Sequence, residues 1–503
     1  MADRDTGHEE PPRARRAHRA GSGALLRRST AGFVVLLLVM AGLSYRFDLG
    51  TRWFGWEYPS PITEPAEVEP PPGLTLPAPQ HAGPVARETD LRPADPQAVR
   101  RALGHLVRNR KLGPHVAVAV DQIGDGEPVF RYGADRVTPA STMKLLTTSA
   151  ALASLGPDHR FRTTVVSRPH SRRIVLVGGG DPLLARTPDG SGEEYPSRAD
   201  LKTLAKSTVR ALKSLGRIEV RLSYDTSLFT GPAVNPTWPS TYISDNVVSP
   251  ITPLWVDEGR AREGLAYRSP DPAAAAAKLF AQDLERYGIK VTGPVTERTA
   301  ARGAEQLAAV QSAPLRRIVQ YILEVSDNEG AEVLLRHVAL AEGEEASFEG
   351  GVQAVRDVLT RLGIDTTGER ILDGSGLSRR DRIDPETLLS LLETAAEPSH
   401  AELRPVLVGL PVAGFSGSLA YRFGTADREG LGLVHAKTGT LTGVHGLAGV
   451  VTTVDGTVLD FVAIADRVKV PNTLAARAQL DRIAAALAAC TCAAQTGAGA
   501  SGG

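Results

Sequence analysis

From Ser29 to Tyr45 the chain runs 17 residues without a charge, and arginines crowd before it, including Arg13, Arg15, Arg16, Arg19, Arg27 and Arg28. A run of this length is at the short end of what spans a bilayer as a helix. Its basic flank and N-terminal position suit a signal anchor with the arginines inside. No small-x-small cleavage site follows; Tyr45, Arg46 and Phe47 stand there instead. Trp53, Phe54, Trp56 and Tyr58 then supply aromatics of the interfacial kind. Prolines 59, 61, 65, 70, 71 and 72 make the next stretch an extended spacer. The expected order is a disordered cytoplasmic tail (1–28), a retained transmembrane signal anchor (29–45) and a proline-rich linker (46–96). The rest lies on the outer side of the cell membrane, so any fold must be built after about residue 96. Residues 494–503 read as a disordered tail.

At 503 residues the chain exceeds one domain. Its formal net charge is zero and its pI about 7.2, which argues against a general nucleic-acid binder. The two cysteines, Cys490 and Cys492, are spaced too tightly for an ordinary disulfide and have no third partner. Free or locally bridged thiols are expected, and nearby histidines complete no zinc pattern. No metal or cofactor is expected.

Apolar periodicity gives a helix over 99–112, strands over 115–120 and 128–132 joined by a turn at Gly124-Asp125-Gly126, and a helix from Pro139 to Gly156. Residues 161–304 read as a separate α/β unit, with strands near 161–166, 174–177, 217–223 and 288–291 and helices over 198–215 and 272–287. Within it Gly178-Gly179-Gly180-Asp181-Pro182 follows a strand, but no G-x-x-x-x-G-K-[ST] pattern does, so a structural turn is expected. Helices follow over 316–324, 331–342, 350–362 and 385–396. Strands over 434–440, 448–454 and 458–465 precede a closing helix over 474–488.

Chemistry concentrates at Pro139-Ala140-Ser141-Thr142-Met143-Lys144. A serine and a lysine three apart at a helix start share one face. A serine hydroxyl needs a base within hydrogen-bond reach to become a nucleophile, and a lysine that is buried and crowded by another cation can supply one. Only nine of the 57 basic residues are lysine. A lysine where arginine is the habit points to a titratable role.

Two further short motifs follow in order, Ser326-Asp327-Asn328 and Lys437-Thr438-Gly439. With Ser141-x-x-Lys144 they resemble the penicillin-recognising serine acyltransferases. The Gly178–Pro182 run, Asp373-Gly374-Ser375-Gly376-Leu377 and Ala436-Lys437-Thr438-Gly439-Thr440-Leu441 narrow this. They resemble the D-alanyl-D-alanine carboxypeptidase/endopeptidase family S13, the low-molecular-weight class C penicillin-binding proteins. The resemblance covers roughly residues 95 to 493. It implies an α/β (α+β) fold in which a β-lactamase/transpeptidase-like domain (97–160 and 305–493) carries a large α/β insert (161–304). That domain has an antiparallel sheet flanked by helices plus an all-helical part.

The resemblance further implies a serine carboxypeptidase, with cross-link endopeptidase activity beside it, that cleaves peptidoglycan stem peptides ending in D-Ala-D-Ala and is acylated by β-lactams. Ser141 would be the nucleophile and Lys144 its base, with Lys437 as the crowding cation. Ser326 would relay a proton and Asn328 bond substrate and Lys144. Thr438, Gly439, Thr440 and Asp327 would bind substrate, with the Ser141 and Thr440 N–H groups as oxyanion hole. Ser244-Asp245-Asn246 repeats the middle motif but has no helix after it, so Ser326 is preferred. Glu369–Asp373 superficially resembles a β-lactamase E-x-x-L-N loop. A β-lactamase or esterase of the same superfamily, and a catalytically inactive wall-binding scaffold, are the rival readings.

Overall fold

The computed structural model describes residues 93–124, 128–189, 195–261, 266–424 and 427–494. The expected tail, anchor and nearly all of the linker lie outside these residues, as do Asp125-Gly126 and all but the first residue of the 494–503 segment. Among the described residues no helix is long and apolar enough to cross a membrane.

Asp95 opens helix α1 (Pro96–Leu103): its Oδ1 accepts the Gln97 N–H at 2.8 Å, and Pro96 fills the first position, where no N–H partner exists. The single helix expected to 112 is corrected. It stops at Gly104, and a separate 3-10 turn, Arg110–Leu112, begins under an Asn109 cap. Strands β1 (Val116–Gln122) and β2 (Pro128–Gly133) pair antiparallel. A 3-10 turn, Ala140–Thr142, then leads into α2 (Met143–Leu155). Every residue of α2 from Met143 to Leu152 is buried, so its apolar residues need not keep to one stripe.

The chain then leaves for a second sheet. Its strands are β3 (Arg162–Ser167), β4 (Arg173–Val177), β5 (Glu219–Asp225), β6 (Lys290–Val291), β7 (Thr296–Glu297) and β8 (Glu305–Gln311). Their order is β6-β5-β4-β3-β8, with β7 also beside β5. Strands β4, β5 and β6 are parallel and β8 closes antiparallel on β3. Helices α3 (Leu201–Ser214) and α4 (Pro272–Arg286) cover one face, burying Leu204, Leu212, Phe280 and Leu284 against Leu176, Val220 and Leu222. The boundary expected at 304 falls inside this unit: Gly303, at φ 72°, turns the chain back into β8. The Gly178–Pro182 run is a close-approach turn, since a Cβ at Gly179 would sit 1.8 Å from the Arg162 carbonyl oxygen.

Helices α5 (Leu315–Val325), α6 (Asn328–Glu342), α7 (Phe348–Arg361) and α8 (Pro385–Ala396) surround α2 in one apolar core with Ile318, Ile322, Val333, Leu334, Leu388 and Leu392. Strands β9 (Val434–Leu441), β10 (Val444–Thr452) and β11 (Val458–Ala465) complete an antiparallel sheet of order β2-β1-β11-β10-β9. Helix α9 (Thr473–Ala488) packs on its other face through Leu480, Ile483 and Leu487. Of the two states expected for the thiols, free or locally bridged, the second is found, and the C-x-C spacing is not too tight for it: the chain leaving α9 brings the Cα atoms of Cys490 and Cys492 to 5.1 Å, within ordinary bridging range.

Candidate active site

Ser141 sits in the 3-10 turn before α2, and Lys144 lies one turn later, fully buried. Ala140 holds φ 47°, unusual for a residue with a side chain. The turn is pinned from below by Gly376 (φ 79°), whose absent Cβ would lie 1.8 Å from the Ala140 carbonyl oxygen. Lys144 Nζ meets three oxygens: Ser141 Oγ at 2.8 Å, Asn328 Oδ1 at 2.8 Å and the Ser375 carbonyl at 2.9 Å.

The middle motif is a joint between two helices. Ser326 ends α5 in the left-handed region (φ 63°), and Asp327 caps α6 by accepting the Gly330 N–H at 3.1 Å. This reversal turns Ser326 toward β9 and Asn328 toward α2. Ser326 Oγ accepts from Lys437 Nζ at 2.8 Å, and the same ammonium reaches the Thr438 carbonyl at 3.0 Å. Five expected residues, Ser141, Lys144, Ser326, Asn328 and Lys437, thus meet at one cleft in two hydrogen-bonded sets. Asp327, expected to bind substrate, is 7% exposed, and its carboxyl is engaged in the α6 cap. The repeat at Ser244-Asp245-Asn246 closes on itself and on Arg268: Ser244 Oγ donates to Thr241 O, and Asn246 Oδ1 accepts the Arg268 N–H.

Burial dominates the electrostatics. It pushes Lys144 down to about 8, against the pull of Asp327, Asp373, Glu332 and Glu329. Lys437 falls well below its ordinary value through burial first and Lys144 second. Burial is thus the leading cause for both lysines, and the repulsion between the two cations adds to it. Asp327 is pushed well up by burial and by Glu258 and Glu329. Those three carboxyls lie within 4.8 Å of one another, a spacing that a metal would accept. However, Arg260 and Arg268 already meet Glu258 and Glu329 at 2.6 Å each. This is a buried ion-pair cluster.

β9 is an edge strand. Its first half is covered by a returning loop, with Ala436 N–H on Pro411 O and Ala413 N–H on Val434 O, each 2.9 Å. Backbone groups of 434 and 436 thus point away from β10, and ladder alternation turns those of Thr438 and Thr440 the same way. Thr440 is exposed, while the Thr438 hydroxyl donates to Ser418 Oγ at 2.8 Å. Gly439 lets the strand approach the nucleophile turn, since its Cβ would be 2.7 Å from the Pro139 carbonyl.

Sequence reasoning missed Ser418, the Ser375 carbonyl and Glu332, which accepts the Gly374 and Ser375 N–H groups. The Asp373–Leu377 motif was the available signal for the last two. Glu369, in the stretch that superficially resembles a β-lactamase loop, is buried and accepts from Asp384 N–H and Thr387 Oγ1.

The chain is similar to known proteins over most of its length. The family model described as "D-Ala-D-Ala carboxypeptidase 3 (S13) family" matches residues 99–267 and 260–487. Carboxypeptidase DacB of Mycolicibacterium smegmatis is 35% identical over 478 residues, spanning 93% of this chain and 98% of its own. The D-alanyl-D-alanine carboxypeptidase of an Actinomadura species is 31% identical over 67% of this chain and 75% of its own. Among solved structures, penicillin binding protein 4 of Haemophilus influenzae shares the fold, with a TM-score of 0.64 at 24% identity, covering 76% of this chain and 97% of its own. With the motifs, their convergence and a family match over most of its length, the chain belongs to the S13 family of D-Ala-D-Ala carboxypeptidases.

Proposed function

We propose that the protein is a serine D-Ala-D-Ala carboxypeptidase that removes the terminal D-alanine of peptidoglycan stem peptides through an acyl-enzyme on Ser141. The observation that carries this is the surroundings of Lys144 Nζ. A neutral amine has two hydrogens and one lone pair. Asn328 Oδ1 and the Ser375 carbonyl can only accept, so they take the two hydrogens. The lone pair is left facing Ser141 Oγ, where it can receive the hydroxyl proton. The names of the relatives point to the same activity.

In this reading Ser141 Oγ attacks the carbonyl between the two D-alanines. The Ser141 and Thr440 N–H groups hold the oxyanion, each such donor being worth roughly 3 kcal/mol of barrier. Lys437, with the Thr438 and Thr440 hydroxyls, holds the terminal carboxylate, which offsets the burial of its ammonium. The proton passes through the Ser326 hydroxyl to the leaving amine, and water then hydrolyses the ester. We propose cross-link endopeptidase activity as a second use of the cleft, and anchoring through 29–45 with the body on the wall side. The test is D-alanine release from a pentapeptide, which Ser141→Ala should abolish while the melting temperature stays nearly unchanged. Undiminished release by that variant would assign the nucleophile elsewhere.

A further inference from the structure

Of the three oxygens around Lys144 Nζ, only the Ser375 carbonyl belongs to a loop, Asp373–Ser378, with no regular structure to orient it. Yet this loop is wholly buried, and side chains from three other segments hold it. Glu332 Oε1 accepts the Ser375 N–H at 2.8 Å, and Oε2 accepts the Gly374 N–H at 3.1 Å. Asp373 takes the Gly376 and Ser378 N–H groups at 2.7 and 2.6 Å, and Trp238 Nε1 at 2.7 Å. Thr147 Oγ1, from α2, donates to the Gly374 carbonyl at 2.8 Å.

Glu332 stands four residues after Asn328 on α6, one turn away on the same helical face. One rigid helix therefore registers two of the three oxygens on Lys144: Asn328 directly, and the Ser375 carbonyl through the two peptide N–H groups that Glu332 grips. The Ser375 carbonyl shares its rigid peptide plane with the Gly376 N–H, which Asp373 holds, and Glu332, through the Gly374 and Ser375 N–H groups, fixes the two planes that lead into it. The Glu332 side chain is 0% exposed, and burying a carboxyl without partners is unfavourable. The Gly374 and Ser375 N–H groups supply such partners.

We propose that Glu332 is a positioning residue: by gripping the Gly374 and Ser375 N–H groups it points the Ser375 carbonyl at Lys144 and so turns the amine lone pair toward Ser141. This rests on the acyl-enzyme reading above. A glutamine at 332 keeps one acceptor oxygen but sets an NH2 against the second N–H. The loop must then tilt, and the carbonyl leaves the amine. Losing that acceptor and losing the Glu332 charge that pulls Lys144 upward both make Lys144 easier to deprotonate, so Glu332→Asp, which keeps the charge, isolates the share of the carbonyl.

The experiment is the rate of acylation by a fluorescent penicillin across pH, in the whole protein, normalised to the fraction of molecules that label at completion. Glu332→Gln should lower the normalised rate about 10²-fold, the scale of a 1 Å misplacement, and move the acid-limb midpoint to lower pH. Glu332→Asp, which keeps both oxygens on a shorter arm, should recover to within about tenfold of wild type. If Glu332→Gln does not fold, the midpoint of Glu332→Asp decides alone, and it should move the same way. A normalised rate within threefold of wild type, or a loss with the midpoint unmoved, overturns the proposal. Ser141→Ala serves as the reference. Label persisting there would defeat the acyl-enzyme reading itself, whereas label lost there with Glu332→Gln unaffected would defeat only the role of Glu332.

Discussion

Lys144 and Lys437 are both fully buried, so water solvates neither ammonium and each is easier to deprotonate than a surface lysine. Lys144 acts as a base only after losing its proton. The second-order rate of acylation by penicillin should therefore fall about tenfold per pH unit below a midpoint near 8 and level off above it. Stopped-flow labelling between pH 5 and 9.5 checks this, and a flat profile would speak against a titrating base. The two S-D-N triplets separate in the same assay. Asn328→Ala should lower the rate at least about 10²-fold, because it removes an oxygen that orients Lys144, whereas Asn246→Ala should leave it within twofold. The reverse result would mean that the two triplets had been exchanged. At this scale side chains were legible and backbone was not. Ser141, Lys144, Ser326, Asn328 and Lys437 announce themselves by type and order. The Ser375 carbonyl has no side-chain signature, and Asp327 could not be seen to turn inward until its helix cap was known.

The loop under the nucleophile and the middle of the main sheet each make a prediction at the level of elements. Gly376→Ala places a methyl against the Ala140 carbonyl at a positive φ. Thermal unfolding should show a loss of about 3 kcal/mol or more, with acylation falling too. Asp460 lies in β11, 0% exposed, with neither carboxyl oxygen hydrogen-bonded among the described residues. Burial, then Asp121 and Glu393, push it up to about 8 against the pull of Arg131. A carboxyl raised this way keeps its proton in the folded chain and loses it in the unfolded one near its ordinary value. Stability is then lost as pH climbs from about 4 to about 8. Asp460→Asn should be neutral near pH 4 and stabilise by roughly 1–3 kcal/mol near pH 8. Equal denaturation midpoints at both pH values would refute that. Strongly periodic or caged elements such as β11 and α8 were legible. β8 was not, since its alanine-rich run, Gln306-Leu307-Ala308-Ala309-Val310, lacks alternation and becomes a strand only by pairing with β3. The close of helix α1 at Gly104 was hidden for a similar reason, because the apolar pattern continues to Leu112.

For the whole molecule, the apolar pattern of 161–304 and the family resemblance both announced an inserted unit, and the second sheet lies there. The physical link between that sheet and the cleft was not readable. It runs through Asn235 Nδ2 on the Leu372 carbonyl at 2.8 Å, Trp238 on Asp373, and Ser249 and Arg268 on Glu329. Trp238→Phe removes one such donor and leaves an oxygen of Asp373 short of a partner. It should lower the acylation rate without abolishing D-alanine release, and unchanged kinetics would uncouple the second sheet from the site. The most direct measurement for the whole proposal is peptide mapping by mass spectrometry after brief exposure to benzylpenicillin. One penicilloyl group per chain should appear on the peptide carrying Ser141 and vanish in Ser141→Ala. A correctly folded protein that carries no adduct, or carries it on a peptide lacking Ser141, would contradict acyl transfer at this cleft.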